Sequence, residues 1–158
     1  MLKEDASAGQ GLRLSLSASI RKRQSEKYFP VISEVKVRSD KEGDLLHGRD
    51  PVALAQEMAR CPVAGISVVT ESEHFGGHMG LLSAVAAAVD IPVLHKDFIR
   101  NERQIEESAD CGASAILIIT ALLETKQMER LIEKAMCCGL ETLVEAHSLA
   151  EIKKVEDL

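Results

Sequence analysis

IPVLHKDF, residues 91–98, opens as a buried β-strand and closes on three ionisable side chains in a row, His95, Lys96 and Asp97. An uncompensated charge is costly to bury, so a core strand that ends this way must end at a surface or at a site. Four more short runs are rich in Val and Ile: VISEVKV (31–37), AGISVVT (64–70), SAILIIT (114–120) and ETLVEAH (141–147). Segments with helical spacing follow them: DPVALAQEMARC (50–61), MGLLSAVAAAV (79–89), NERQIEESADCG (101–112), ETKQMERLIEKAMCCG (124–139) and SLAEIKKVEDL (148–158). Met128, Leu131, Ile132 and Ala135 recur on one helical face. Asp50 before Pro51 reads as an N-cap with proline in the first turn. Asn101 and Ser148 are further N-caps. Gly112 and Gly139 stand where helix ends favour a left-handed residue.

Strands alternating with helices predict βαβ units and a parallel sheet. The repeat is about 25–30 residues, the size of such a unit. About five units are present, which suits an open doubly wound sheet or part of a barrel that needs eight. No glycine-rich phosphate fingerprint follows the first strand, which leaves nucleotide binding at a switch point without support. Residues 1–30 form a separate N-terminal extension. Its polar start, MLKEDASAGQ, is expected to be mobile, and RLSLSASIRKRQSEKY (13–28) to be a helix with a basic face that Pro30 ends. Residues 31–158 form the α/β domain.

The 158 residues suffice for one domain. Net charge is −6 and the pI about 5.4, against the basic surface usual for nucleic-acid binding. Aromatic residues make up 3% with no Trp, which leaves little to stack on bases. An anionic substrate needs only a few well-placed lysines, so it stays open. No apolar run approaches the roughly 20 residues of a membrane helix, and the N-terminus lacks a secretory apolar core. A cytoplasmic protein is the expectation. Cys61, Cys111, Cys137 and Cys138 match no zinc spacing. They read as reduced, buried small hydrophobes.

Residues two apart on a strand share a face. Glu34 and Lys36 therefore point with Ile32, Lys96 and Phe98 with Leu94, and Glu145 and His147 with Leu143. In each strand the charged residue follows apolar ones near the C-terminal end. Three strands thus deliver Glu34, Lys36, Lys96 and Glu145 to one rim, where parallel α/β folds build their sites. A structural network tying strand ends together is the alternative. Four groups on three strands at the same end favour a site. His74, His95 and Asp97 are expected on the opposite face or on loops, outside the chemistry.

VISEVKVRS (31–39), FGGH (75–78), PVLHKDFI (92–99), QIEESADCGASAILII (104–119) and LETLVEAH (140–147), in this order, closely resemble the indole-3-glycerol phosphate synthase family. Its pattern runs V-I-A-E-[IV]-K-x-x-S-P-S, F-x-G-S, P-V-L-x-K-D-F-I, L-V-E-[VA]-H, and the wording here is archaeal in style. The resemblance implies a (β/α)8 TIM barrel with about the first five βα units present. It implies conversion of 1-(2-carboxyphenylamino)-1-deoxyribulose 5-phosphate to indole-3-glycerol phosphate in tryptophan biosynthesis, with no cofactor and no metal. Lys96 would be the general acid and Glu145 the base. Lys36 would hold the leaving carboxylate, and Glu34 would orient the lysines. Phe75 and Phe98 would wall the anthranilate ring, and Ser39 would lie near the phosphate.

Two departures stand out. Asp40 replaces the proline of S-P-S, beside the expected phosphate, and His78 replaces the serine after F-x-G, where it reads as a helix start. The family's later strands and their phosphate loops are expected beyond Leu158. Two further readings are a non-catalytic half-barrel that needs a partner fragment and a related barrel acting on another sugar phosphate. A half-barrel would also leave inward residues such as Ile32, Leu94 and Leu143 open to water and its edge strands open to self-association.

Overall fold

A computed structural model describes residues 13–156. The stretch expected to be a mobile start lies outside them. Helix α1 (Leu16–Ser25) begins at Ser15, whose Oγ accepts from the Ala18 N–H at 3.0 Å. Lys27 rather than Pro30 ends it. Lys27 is left-handed (φ 64°), and the Lys27 and Tyr28 N–H groups close on Gln24 O and Arg23 O at 3.0 and 2.9 Å. That is a Schellman turn, built here without its usual glycine.

The order then runs β1 (Ile32–Val35), β2 (Arg38–Ser39), β3 (Gly43–Asp44), α2 (Pro51–Ala59), β4 (Gly65–Val69), α3 (Met79–Ala88), β5 (Val93–Lys96) and α4 (Glu102–Asp110). After these come β6 (Ala115–Ile119), a 3-10 turn at Thr120–Leu122, α5 (Thr125–Cys137), β7 (Glu141–Glu145) and α6 (Leu149–Val155). Strands β1, β4, β5, β6 and β7 make one parallel sheet in chain order. With a helix after each strand, these are five βα units of the (β/α)8 barrel. The caps fall as the sequence indicates. Asp50 caps α2, Asn101 and Gln104 form a reciprocal capping box on α4, and Ser148 caps α6. Gly112 and Gly139 are left-handed, at φ 83° and 69°.

The strands are shorter than the apolar runs. Pairing stops at Val35, Lys96 and Glu145, so Lys36, Phe98 and His147 lie where the backbone already turns toward the next helix. The β2–β3 hairpin went unforeseen because RSDKEGD carries no apolar alternation.

The sheet has two different faces. Outward, Val35, Ile66, Val68, Ile116 and Ile118 pack against Ala55, Leu82, Val85, Ile105, Met128 and Leu131 of the surrounding helices in one continuous core. Inward, Leu94, Ala115 and Ile32 meet Leu16 and Ile20 of α1. The helix therefore lies across the N-terminal end of the strands. Gly65 makes room for it, since a Cβ there would stand 2.9 Å from Leu16 Cδ1 and 2.8 Å from Pro92 O. Polar ties fix the seat. Glu141 accepts from Ser15 Oγ at 2.6 Å, Ser17 Oγ at 2.9 Å and the Ser17 N–H at 2.8 Å. Arg13 donates to Ala113 O and Ala109 O at 2.8 and 2.9 Å.

For Leu94, though not for Leu143, this corrects the expectation of an interior open to water. Leu94 is 3% exposed beneath Leu16, whereas Leu143 on the outermost strand is 38% exposed. Among the described residues β1 and β7 each have one unpaired edge. None of the four cysteines is buried as expected: Cys61, just beyond α2, and Cys137, at the end of α5, are exposed, and Cys111 and Cys138 are half-buried.

The loop after β4 explains the F-x-G spacing. Gly76 is left-handed (φ 66°), and a Cβ on Gly77 would overlap Val69 O and lie 2.6 Å from Thr70 Cα. Both neighbours are backbone and cannot step aside. Gly77→Ala should lower stability by about 1–3 kcal/mol or more, read from the midpoint of urea unfolding. An unchanged midpoint would mean that the loop repacks freely.

Candidate active site

At the C-terminal ends of the strands, Glu34 of β1 binds two lysines. Its Oε2 is 2.6 Å from Lys96 Nζ of β5, and its Oε1 is 3.2 Å from Lys36 Nζ. Strand β4 lies between β1 and β5 and sends only Ser67 and Val69 inward, opposite Glu34 and Lys96 respectively. These short side chains let Lys96 reach across β4. Lys36 Nζ also stands 5.8 Å from the centre of the Phe75 ring, within range of a cation–π contact. Glu145 enters from β7, its Oε1 2.8 Å from His147 Nε2. Together with Phe98, these groups surround a cleft of about 200 Å³ floored by Val69, Leu117 and Ile119. An apolar floor with a few convergent charged groups above it is the usual make-up of a small-molecule cleft.

Burial pushes the Glu34 carboxyl up, but the hydrogen bonds and charges of Lys96 and Lys36 outweigh it and hold the group below its ordinary value. The carboxylate therefore persists between its two cations and fixes both in place.

Six of the seven residues expected at the site, Glu34, Lys36, Phe75, Lys96, Phe98 and Glu145, line this one cleft. Ser39 does not. It sits in the β2–β3 hairpin, where its Oγ accepts from the Glu42 N–H at 3.1 Å. The hairpin is tied to the cleft through the Arg38 N–H, which donates to Phe75 O at 3.1 Å. Asp40 turns outward onto His74 Nδ1 at 2.8 Å, and that hydrogen bond raises the His74 imidazole above its ordinary value. His78 starts α3, its Nδ1 accepting from the Leu81 N–H at 3.1 Å, as the sequence indicated.

Two cleft residues escaped the sequence reading. Asp97, expected on the far face or a loop, lines the cleft, and its Oδ1 accepts from the Phe98 N–H at 2.7 Å. Glu71 also lines it and staples the Phe75 loop. It accepts from the N–H groups of Glu73, His74 and Phe75 at 3.0, 2.8 and 3.1 Å. Glu71, Glu73 and His74 lie close enough to hold a cation. Three backbone donors already occupy both Glu71 oxygens, however, so the cluster reads as a loop staple.

Fold and rim together place the chain in the class of (β/α)-barrel proteins whose sites are built at strand C-termini. A family model described as indole-3-glycerol phosphate synthase matches residues 3–158, and the chain belongs to that family. Relatives bearing that name include those of Pyrococcus furiosus, 41% identical over 114 residues, covering 72% of this chain and 49% of the relative. That of Pyrococcus abyssi is 43% identical over 100 residues, 63% of this chain and 44% of the relative. That of Geobacillus thermodenitrificans is 43% identical over 107 residues, 68% and 42%. The chain thus spans about half the length of these relatives. Among solved structures, a mandelate oxidase with benzoyl-formic acid superposes with a TM-score of 0.59 at 15% identity, over 89% of this chain and 49% of that one. At that identity the likeness speaks for the fold alone. Among the described residues no helix is long and apolar enough to cross a membrane.

The depressed Glu34 carboxyl links the rim to stability. Its contribution is fully present above the ordinary glutamate range, roughly 4.3, and is lost as pH falls through its lower folded value. Glu34→Gln should therefore be less stable than wild type at pH 6, and the gap should narrow as pH falls toward 3, in thermal melts across that range. A gap independent of pH would show that Glu34 acts through packing alone.

Proposed function

We propose that the protein carrying this chain is an indole-3-glycerol phosphate synthase, a lyase of tryptophan biosynthesis that works in the cytoplasm on 1-(2-carboxyphenylamino)-1-deoxyribulose 5-phosphate without a cofactor. The observation that carries this reading is one glutamate holding lysines from two strands at the rim, with a second carboxylate, Glu145, lining the same aromatic-walled cleft.

The chemistry follows from that placement. The anthranilate ring lies between Phe75 and Phe98, its carboxylate on Lys36. Lys96 gives a proton to the substrate carbonyl as the ring carbon bearing the carboxylate attacks it, closing the five-membered ring. The C–C bond to the carboxylate breaks, carbon dioxide leaves, and its electron pair restores the ring. Glu145 then takes a proton from the new ring while Lys36, freed of the carboxylate it held, gives its proton to the hydroxyl, which departs as water. The two lysines share one partner, Glu34, while the carboxylates Glu34 and Glu145 sit in different company. Glu34 is held between two ammonium groups, whereas the Glu145 carboxylate contacts the exposed His147. Ser39 lies in the hairpin tied to the Phe75 loop, where a phosphate chain leaving the cleft would pass.

In the protein carrying this chain, Lys96→Ala should lower turnover by about 10²–10⁴-fold while substrate still binds. Glu145→Gln keeps the volume and removes the base, and should cut kcat with little change in KM. Fluorescence of the indole product reads both. A Lys96→Ala enzyme at the wild-type rate, or a Glu145→Gln enzyme altered only in KM, would contradict the assigned roles.

A further inference from the structure

His95 is 2% exposed and lies on the outward face of β5. Both of its ring nitrogens are engaged. Nδ1 is 2.7 Å from Ser108 Oγ of α4, and Nε2 is 2.7 Å from Thr70 Oγ1 at the end of β4. Each hydroxyl has one proton to give. Ser108 spends its proton on Gln104 O, at 2.6 Å one helical turn back. It can then only accept from the imidazole, which puts a hydrogen on Nδ1. Thr70 gives its proton to Asp97 Oδ2. It too can then only accept, which puts a hydrogen on Nε2. An imidazole with hydrogens on both nitrogens is a cation, and a buried cation demands a partner. Asp97 Oδ2, 3.8 Å from Nε2, supplies it.

We propose that His95 is a buried imidazolium that acts through the Thr70 hydroxyl as a positioning residue, holding Asp97 as a carboxylate at the edge of the cleft and thereby fixing the strand end that carries Lys96 and Phe98. Asp97 is the joint of this brace. One of its oxygens takes Thr70 and the other takes the Phe98 N–H, so the turn after Lys96 has one orientation. Thr70 is held in register by its own N–H, which donates to Lys96 O at 3.2 Å. Burial works against ionising Asp97, yet the His95 imidazole 3.8 Å away and the hydrogen bonds of Thr70 and the Phe98 amide hold its carboxyl below the ordinary value. The competing arrangement shifts one proton. Asp97 would be a neutral acid donating to Thr70, Thr70 would donate to Nε2, and His95 would be neutral with hydrogen on Nδ1 alone. The two arrangements have the same number of protons and differ in where one of them sits.

The role assigned to Lys96 and Phe98 rests on the synthase reading, but the charge state of His95 rests on hydrogen bonds alone. Long-range ¹H–¹⁵N correlation on the full chain with labelled histidine, at pH 7, separates the two arrangements. Expected is a His95 resonance pair with both ring nitrogens protonated, assigned by its loss in His95→Gln and so told apart from the exposed His74, which Asp40 also holds toward the protonated form. Asp97→Asn should remove the counter-charge and leave Nε2 without its hydrogen. A His95 that is neutral in the wild type, or unchanged by Asp97→Asn, overturns the proposal. In the turnover assay Thr70→Val should cost about 10–100-fold in kcat with KM little changed, and Thr70→Ser should restore it. An unaltered kcat in Thr70→Val overturns the positioning role. A protein without synthase activity would instead overturn the proposed function and leave the imidazolium result standing.

Discussion

Two lysines from different strands can share a half-sheltered rim only if an anion stands between them. Like charges brought together at a partly buried rim repel one another unless a counter-charge lies between them. Glu34 provides the balance, with an oxygen for each ammonium. The three groups are partly exposed, so the pairs add little to stability. Their effect is geometric. Lys96 must cross β4 to reach Glu34, and it can do so because β4 places only Ser67 and Val69 beneath its path. Strand order, side-chain size and site are therefore one problem with one solution.

The sheet can devote its C-terminal rim to charge because apolar surface is buried elsewhere. The outward face carries the large core against α2 to α5. The inward face is closed at its other end by α1, with Leu16 seated over Gly65, Leu94 and Ala115 and the helix start tied down by Glu141. One end of the strands is thus sealed and the other left open, which is the polarity a barrel site needs.

Period-two reasoning recovered the rim because Glu34, Lys96 and Glu145 all lie within paired strands and Lys36 directly follows one, so each inherits its face from its neighbours. The same reasoning failed one residue later. It put Asp97 facing away from the rim or on a loop; Asp97 does lie in the turn after Lys96, but that turn swings it to the cleft, where it still reaches back to Thr70. Ser39 went to a hairpin that no apolar pattern announces, and Glu71 works through backbone donors that composition does not reveal. The end of α1 was misplaced because a left-handed lysine carries no signal in the chain, whereas Gly112 and Gly139 do. Leu94 was expected to meet water because the extension was read as an appendage, and the contact that covers it joins residues far apart in sequence.

The central claim is that Glu34 holds Lys36 and Lys96 ready for an aromatic carboxylate lying between Phe75 and Phe98. A crystal structure of the protein carrying this chain, with a substrate analogue whose carbonyl is reduced to an alcohol, tests it most directly. The account predicts the ring between the two phenylalanines, the carboxylate within hydrogen-bond distance of Lys36 Nζ, and the alcohol oxygen facing Lys96 Nζ. An analogue bound with its carboxylate away from both lysines, or outside the cleft, would contradict it.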